Sequence, residues 1–133
     1  MSIKYTQLTL DGNTELYSEL TRVISRTADA VKQVHNRNKR RTDPELRVMI
    51  SLHTKLVNNT ANSTLHLSRA ELRLLQSILI NVSATLYTTV IPNYKNRMEK
   101  EPDKADNYKP YLVRCEDRIL QYKQILDIIG KAL

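Results

Sequence analysis

Glycine occurs only twice in the 133 residues, cysteine once, and phenylalanine and tryptophan not at all. Each scarcity excludes something. Phosphate-cradling loops need several glycines within a few residues, so that backbone amides can approach the anion. Gly12 and Gly130 alone cannot build a Walker-type or dinucleotide-binding loop. Two glycines and four prolines also argue against a turn-rich all-β fold and against long flexible linkers. Cys115, the lone cysteine, cannot form an intramolecular disulfide. No basic, apolar and cleavage-site series opens the chain, so the expectation is a cytoplasmic protein with a reduced, inert thiol. His35, His53 and His66 stand eighteen and thirteen residues apart and far from Cys115, so no metal site is expected. No glutamate is followed by histidine three positions on, as a di-iron bundle requires. Nothing in the sequence requires a cofactor or an enzymatic role.

What is present suits one globular domain spanning 1–133. The length is typical of an independent domain, at roughly 100–150 residues. Composition is 41% hydrophobic and 26% charged, enough apolar material for a core. Residues 74–94 carry no charge, a run long enough to span a bilayer. Gln76, Ser77, Asn81, Ser83, Thr85, Thr88 and Thr89 interrupt it, and Pro92 stands near its end. The expectation is therefore a helix buried in the middle of a soluble bundle, with no transmembrane segment. Asn58, Asn62 and Asn81 each open an Asn-X-Ser/Thr triplet, which without a secretory context reflects only the abundance of Asn and Thr.

The apolar pattern is helical along most of the chain. Leu16, Leu20, Val23, Ile24, Val31 and Val34, with Ala28 between, form one stripe at spacings of three, four and seven. Asn13 or Thr14 can cap this helix, and Glu15 and Glu19 suit its positive amino end. Asp43 and Pro44 restart a helix as N-cap and first residue, with Leu46, Met49, Ile50, His53, Leu56 and Val57 on one side. Asn58–Thr64 reads as a loop. Ser68 and Glu71 form a capping box, and Leu72, Leu75, Leu79, Val82 and Leu86 follow on one face. Leu74, Ile78, Ile80 and Val90 widen that face, which marks a central helix or one that meets a second subunit. Pro92 should end or kink this helix, and 93–109 should be an irregular or partly helical connection. Pro110 should open the last helix, with Leu112, Cys115, Ile119, Tyr122, Leu126 and Ile129 in register and Gly130 as its stop. Residues 1–13 hold a β-prone stretch with no evident partner, expected to be a tail or an edge strand pairing with another copy. The expected fold is all-α, a single-domain bundle of about four principal helices with a short β-prone amino-terminal segment.

Charge is uneven. Lys plus Arg is 21 against 14 acids, and residues 32–73 hold nine of the bases with only three acids. Lys32, Arg37, Lys39, Arg40, Arg41 and Arg47 form the dense part. Such a run can simply complement the carboxyl end of a helix and solubilise it. It can also bind an anion, since the Arg fork makes bidentate bonds to phosphate or carboxylate. All seven aromatics are tyrosine. Asn93-Tyr94-Lys95 and Asn107-Tyr108-Lys109 repeat one tripeptide, with Tyr111 close behind. Such rings either anchor a connection, hydroxyls in water, or stack on nucleic-acid bases. A helix-turn-helix reader is disfavoured because the 58–64 loop is long and the helix after it too apolar for a groove, although Arg69 and Arg73 lie in its first turns.

These readings converge on a non-enzymatic helical binding protein that regulates, inhibits or sequesters an anionic macromolecule or nucleotide. The alternatives are a nucleic-acid-binding protein using residues 32–47 and a purely structural self-assembling subunit. A homo-oligomer, most simply a dimer, is expected. In style the composition resembles accessory proteins of viruses and mobile elements, without a shared motif.

Overall fold

The computed structural model describes residues 5–38 and 44–133, and side chains within 34–45 lie outside that description. The chain is all-α apart from one small sheet. The elements run β1 (Tyr5–Leu8), α1 (Thr14–Asn38), α2 (Pro44–Val57), β2 (Leu65–Ser68), α3 (Arg69–Thr85), a π-helical turn (Leu86–Val90), α4 (Ile91–Lys100), a 3₁₀ turn (Pro102–Lys104) and α5 (Ala105–Ala132). Helix α3, the π turn and α4 are continuous, so the described residues hold four principal helical stretches. Packing divides the chain into two compact units, Met1–Leu75 with Ala132–Leu133, and Gln76–Lys131.

In the first unit, Asn13 caps α1 by accepting from the Leu16 amide at 3.0 Å. The expected stripe is present, with Leu16, Leu20, Ile24 and Ala28 buried. Tyr17 joins them and turns its hydroxyl onto the Leu56 carbonyl, tying α1 to the end of α2. Burial pushes the Tyr17 phenol above its usual range. The inner face of α2 differs from expectation. Met49, Leu52 and Leu56 are buried, whereas Ile50 and Val57 are exposed. Apolar residues at both i+3 and i+4 offered two overlapping stripes, and packing against α1 selected the one through Leu52. The N-cap expected at Asp43 lies outside the described residues.

Within the β-prone start, Tyr5–Leu8 is an edge strand rather than a tail, and it has a partner inside the chain. It pairs antiparallel with β2 of the same chain, Tyr5 opposite Ser68 and Leu8 opposite Leu65. Alternation explains the pairing: Leu65 and Leu67 point inward with Leu8, while His66 and Gln7 face solvent. Asp11 and Gly12 turn the chain from β1 into α1 with positive φ, 50° and 78°. The Gly12 amide donates to the Ala61 carbonyl at 3.0 Å, pinning this turn to the 58–64 loop.

The capping box forms as expected and is part of a larger knot. Ser68 N–H donates to Glu71 Oε1 at 3.0 Å, and Glu71 N–H donates to Ser68 Oγ at 3.2 Å. Lys55 reaches across from α2 to the same carboxylate at 2.7 Å, donates to the His66 carbonyl at 2.8 Å, and lies 5.0 Å above the Tyr5 ring centre. One ammonium thus ties α2, β2, α3 and β1 together. Burial alone would raise the Glu71 carboxyl, but the Lys55 ammonium and the Ser68 hydrogen bonds hold it below its usual range.

In the second unit the prolines do not break helices where the sequence suggested. Ahead of Pro92 the chain opens one wide turn, in which the Ile91 amide donates to the Leu86 carbonyl five residues back. A proline ring clashes with the carbonyl four residues before it, and widening the turn relieves that clash. The helix therefore continues through residues 93–100, so of the two forms expected for 93–109, irregular or partly helical, the connection takes the helical one, broken by the short turn before Ala105. Pro110 lies inside α5 rather than at its start. In the second turn it forfeits one hydrogen bond, while the Lys104 amide bonded to the Glu101 carbonyl at 2.9 Å already leads the chain into the helix. Gly130 does not stop α5, which runs on to Ala132.

The uncharged run is not enclosed. The helix Arg69–Lys100 is long and apolar enough to cross a membrane, yet only 22% of its most apolar window is buried. The expectation of a helix buried in the middle of a bundle fails for this stretch. Leu75, Ile78 and Leu79 are buried, but most residues from Ile80 to Thr89 are exposed or half-exposed.

Candidate binding surfaces

The basic segment joins α1 to α2. The Ser25 hydroxyl and His53 Nε2 lie 2.8 Å apart, which fixes the level at which the two helices meet. Lys32 is seven residues beyond Ser25 and Arg47 six before His53, each roughly 10 Å along its helix at 1.5 Å per residue. Both therefore lie toward the same end of the α1–α2 hairpin, and both are exposed. Arg37 is in α1, but its side chain lies outside the described residues, as do Lys39, Arg40 and Arg41 and the side chain of His35. Lys39, Arg40 and Arg41 fall between Lys32 and Arg47 in the sequence.

The three tyrosines singled out in the sequence come together. Tyr94 of α4 lies 5.9 Å from Tyr111 of α5 with nearly parallel planes, 9° apart, and 6.2 Å from Tyr108 in a tilted arrangement. Tyr108 donates to Glu101 Oε2 at 2.9 Å, which raises its phenol and lowers the carboxyl it meets. Ring against ring, the cluster clasps the turn between α4 and α5. Tyr111 keeps much of its surface in solvent.

The second unit also carries a groove of about 680 Å³ between α4 and α5, which the sequence reading missed. Tyr87, Pro92, Ile119 and Leu120 supply apolar walls, and Lys95, Glu99 and Glu116 border them. The signal was present in spacing: Val113 and Leu120 stand seven apart, off the inner stripe of α5. A helix that is apolar on several sides does not state which side remains open.

Nucleophilic chemistry finds little support in the geometry. Ser25 and His53 form a hydrogen-bonded pair, but both sit in mid-helix, where backbone amides are committed to helical bonds and cannot form an oxyanion hole. Cys115 is half-buried, and burial pushes its thiol up, away from the reactive thiolate. His66 is exposed on β2. The 58–68 segment holds a strand paired with β1, unlike the tight turn of a helix-turn-helix reader. No cluster of three metal-ligating side chains occurs among the described residues. No known protein family, curated protein or solved structure matches the chain.

Proposed function

We propose that this protein acts in the cytoplasm by binding rather than by catalysis. It holds an anionic macromolecule or nucleotide at the basic end of the α1–α2 hairpin, and so regulates, inhibits or sequesters it. The observation that supports this reading is the concentration of charge. Nine bases against three acids fall within residues 32–73, and Lys32 and Arg47, which flank the densest run in the sequence, are exposed toward one end of the hairpin. Cations there also complement the carboxyl end of α1, so the test must separate a solvating role from a binding one.

Reversing four charges together (R37E, K39E, R40E and R41E) removes the dense run without touching a described core residue. The expected result is unchanged helicity and thermal unfolding, with a lost or much weakened complex in pull-down followed by mass spectrometry. An unaltered set of bound partners would overturn the proposal.

Nucleic acid is the second reading, favoured by Asn36 and Asn38 interleaved among the bases as neutral donors. It is read by fluorescence anisotropy on labelled single-stranded and duplex oligonucleotides. Affinity should then fall steeply with salt, with log K changing by about −0.7 to −0.9 per phosphate neutralised against log salt. An acidic protein partner gives a shallower dependence, carried mainly by the association rate.

A further inference from the structure

Two antiparallel helices can pack one face of each against the other, but a groove on the outer side stays open unless something fills it. The second unit is such a hairpin. Its open groove is flanked by large apolar side chains that soluble surfaces usually cover: Tyr87 is 71% exposed and Leu120 59%. Ile80, 51% exposed, precedes Tyr87 by seven residues, and Val113, 54% exposed, precedes Leu120 by seven. Heptad spacing places each pair on one helix face, the spacing by which helices seat side chains against a partner helix.

The charges on the rim identify the occupant. Lys95, Glu99 and Glu116 are all exposed, and none makes an ion pair among the described residues. An isologous contact sets one patch against its own copy, so attraction requires both signs on that patch. This rim has both. It also has two acids to one base in a chain of net charge +7, which sets it apart from the basic end of the first unit and suits it poorly to nucleic acid or to an anionic bilayer.

We propose that the groove is a homodimer interface, in which a second copy of this chain lays its own α4–α5 hairpin into it. The two hairpins then form a four-helix arrangement about a two-fold axis, with Tyr87 and Leu120 covered and Lys95 facing carboxylates of the copy. This inference does not depend on the basic segment, and its failure would leave the anion-binding reading intact.

The test uses the full chain and three proteins: wild type, K95E and E99K/E116K. The substituted side chains are exposed, so thermal unfolding checks that the fold persists. Sedimentation equilibrium should show wild type as a dimer at tens of micromolar. K95E makes the rim wholly acidic, E99K/E116K makes it wholly basic, and each alone should raise the dimer Kd at least roughly tenfold. Mixing the two variants should restore association as a heterodimer, identified by native mass spectrometry. A wild-type monomer at that concentration would overturn the proposal, whether or not it sedimented with anionic phospholipid vesicles. So would a K95E protein that dimerises as tightly as wild type, or a mixture that fails to associate.

Discussion

The two units treat helix surfaces in opposite ways. In the first, every element is cross-tied to another: α1 to α2 through Tyr17 and through Ser25 with His53, and the sheet to α2 and α3 through Lys55 and Glu71. In the second, helices meet through apolar packing and a clasp of tyrosines, and more large apolar side chains remain in solvent than the Tyr5, Ile50 and Val57 of the first. The difference teaches that a similar apolar content can complete a core or prepare a surface. Around the groove of the second unit, Lys95, Glu99 and Glu116 make no ion pair among the described residues, whereas Lys55 and Glu71 of the first unit meet each other.

Breaking the knot of the first unit should have the largest effect. Lys55→Met leaves the buried Glu71 carboxylate without its cation and should cost roughly 3–5 kcal/mol in chemical denaturation. The same knot sets an acid limit. Because the folded-state Glu71 carboxyl is held below its usual value, its contribution is present above the unfolded-state value and is lost as pH falls through the folded one. Melting temperature should therefore drop below the ordinary glutamate range, and less steeply in Glu71→Gln.

Leu20→Ala, at a fully buried position, should cost about 2–5 kcal/mol, and so should Leu79→Ala in the second unit. Equal losses would show that the second unit has a core as well as an open face. A negligible loss at Leu79 would mean that its helix is held by something other than this packing.

Gly12→Ala should cost about 1–2 kcal/mol, because the positive φ disfavours a side chain. A Cβ there would also meet Asn62 Oδ1 at 2.8 Å, loosening the turn that starts α1. Differential scanning calorimetry reads this directly. The smallest effect sharpens the comparison most. Leu120→Ala, measured at a concentration low enough for the chain to be monomeric, should change folding stability by no more than about 0.5 kcal/mol, since the side chain is mostly exposed. A large loss of stability there would show that the groove wall belongs to the core.

Helix α1, its Asn13 cap and the Ser68–Glu71 box could be read from the sequence because their determinants are local. The pairing of β1 with β2 was not, although Leu65-His66-Leu67-Ser68 alternates plainly. Four residues between a loop and a capping box carry too little pattern to announce a strand whose partner lies at the other end of the unit. On α2, periodicity allowed Ile50 and Val57 or Leu52 inside, and only contact with α1 decided. Pro92 and Pro110 misled because proline reports a lost hydrogen bond, and each helix absorbed that loss locally. Among the candidate surfaces, the placement of Lys32 and Arg47 and the meeting of Tyr94, Tyr108 and Tyr111 follow residues the sequence had marked. The groove did not, since the apolar periodicity that defines a buried stripe is the same one that defines an open face.

The wide turn at Leu86–Val90 also acts as a phase shifter. Along α3 the inward positions are Leu72, Leu75, Leu79, Val82 and Leu86; beyond the turn they are Ile91, Tyr94 and Met98. An unbroken α-helix would bring Asn93 and Lys100 beneath Leu79 and Leu86 at intervals of seven. The extra residue in the turn rotates everything after it by about 100°. That rotation brings Tyr94 against α5 and leaves Pro92, Lys95 and Glu99 along the groove. A single residue of helical slack thus decides which faces of α4 are clasped and which are offered.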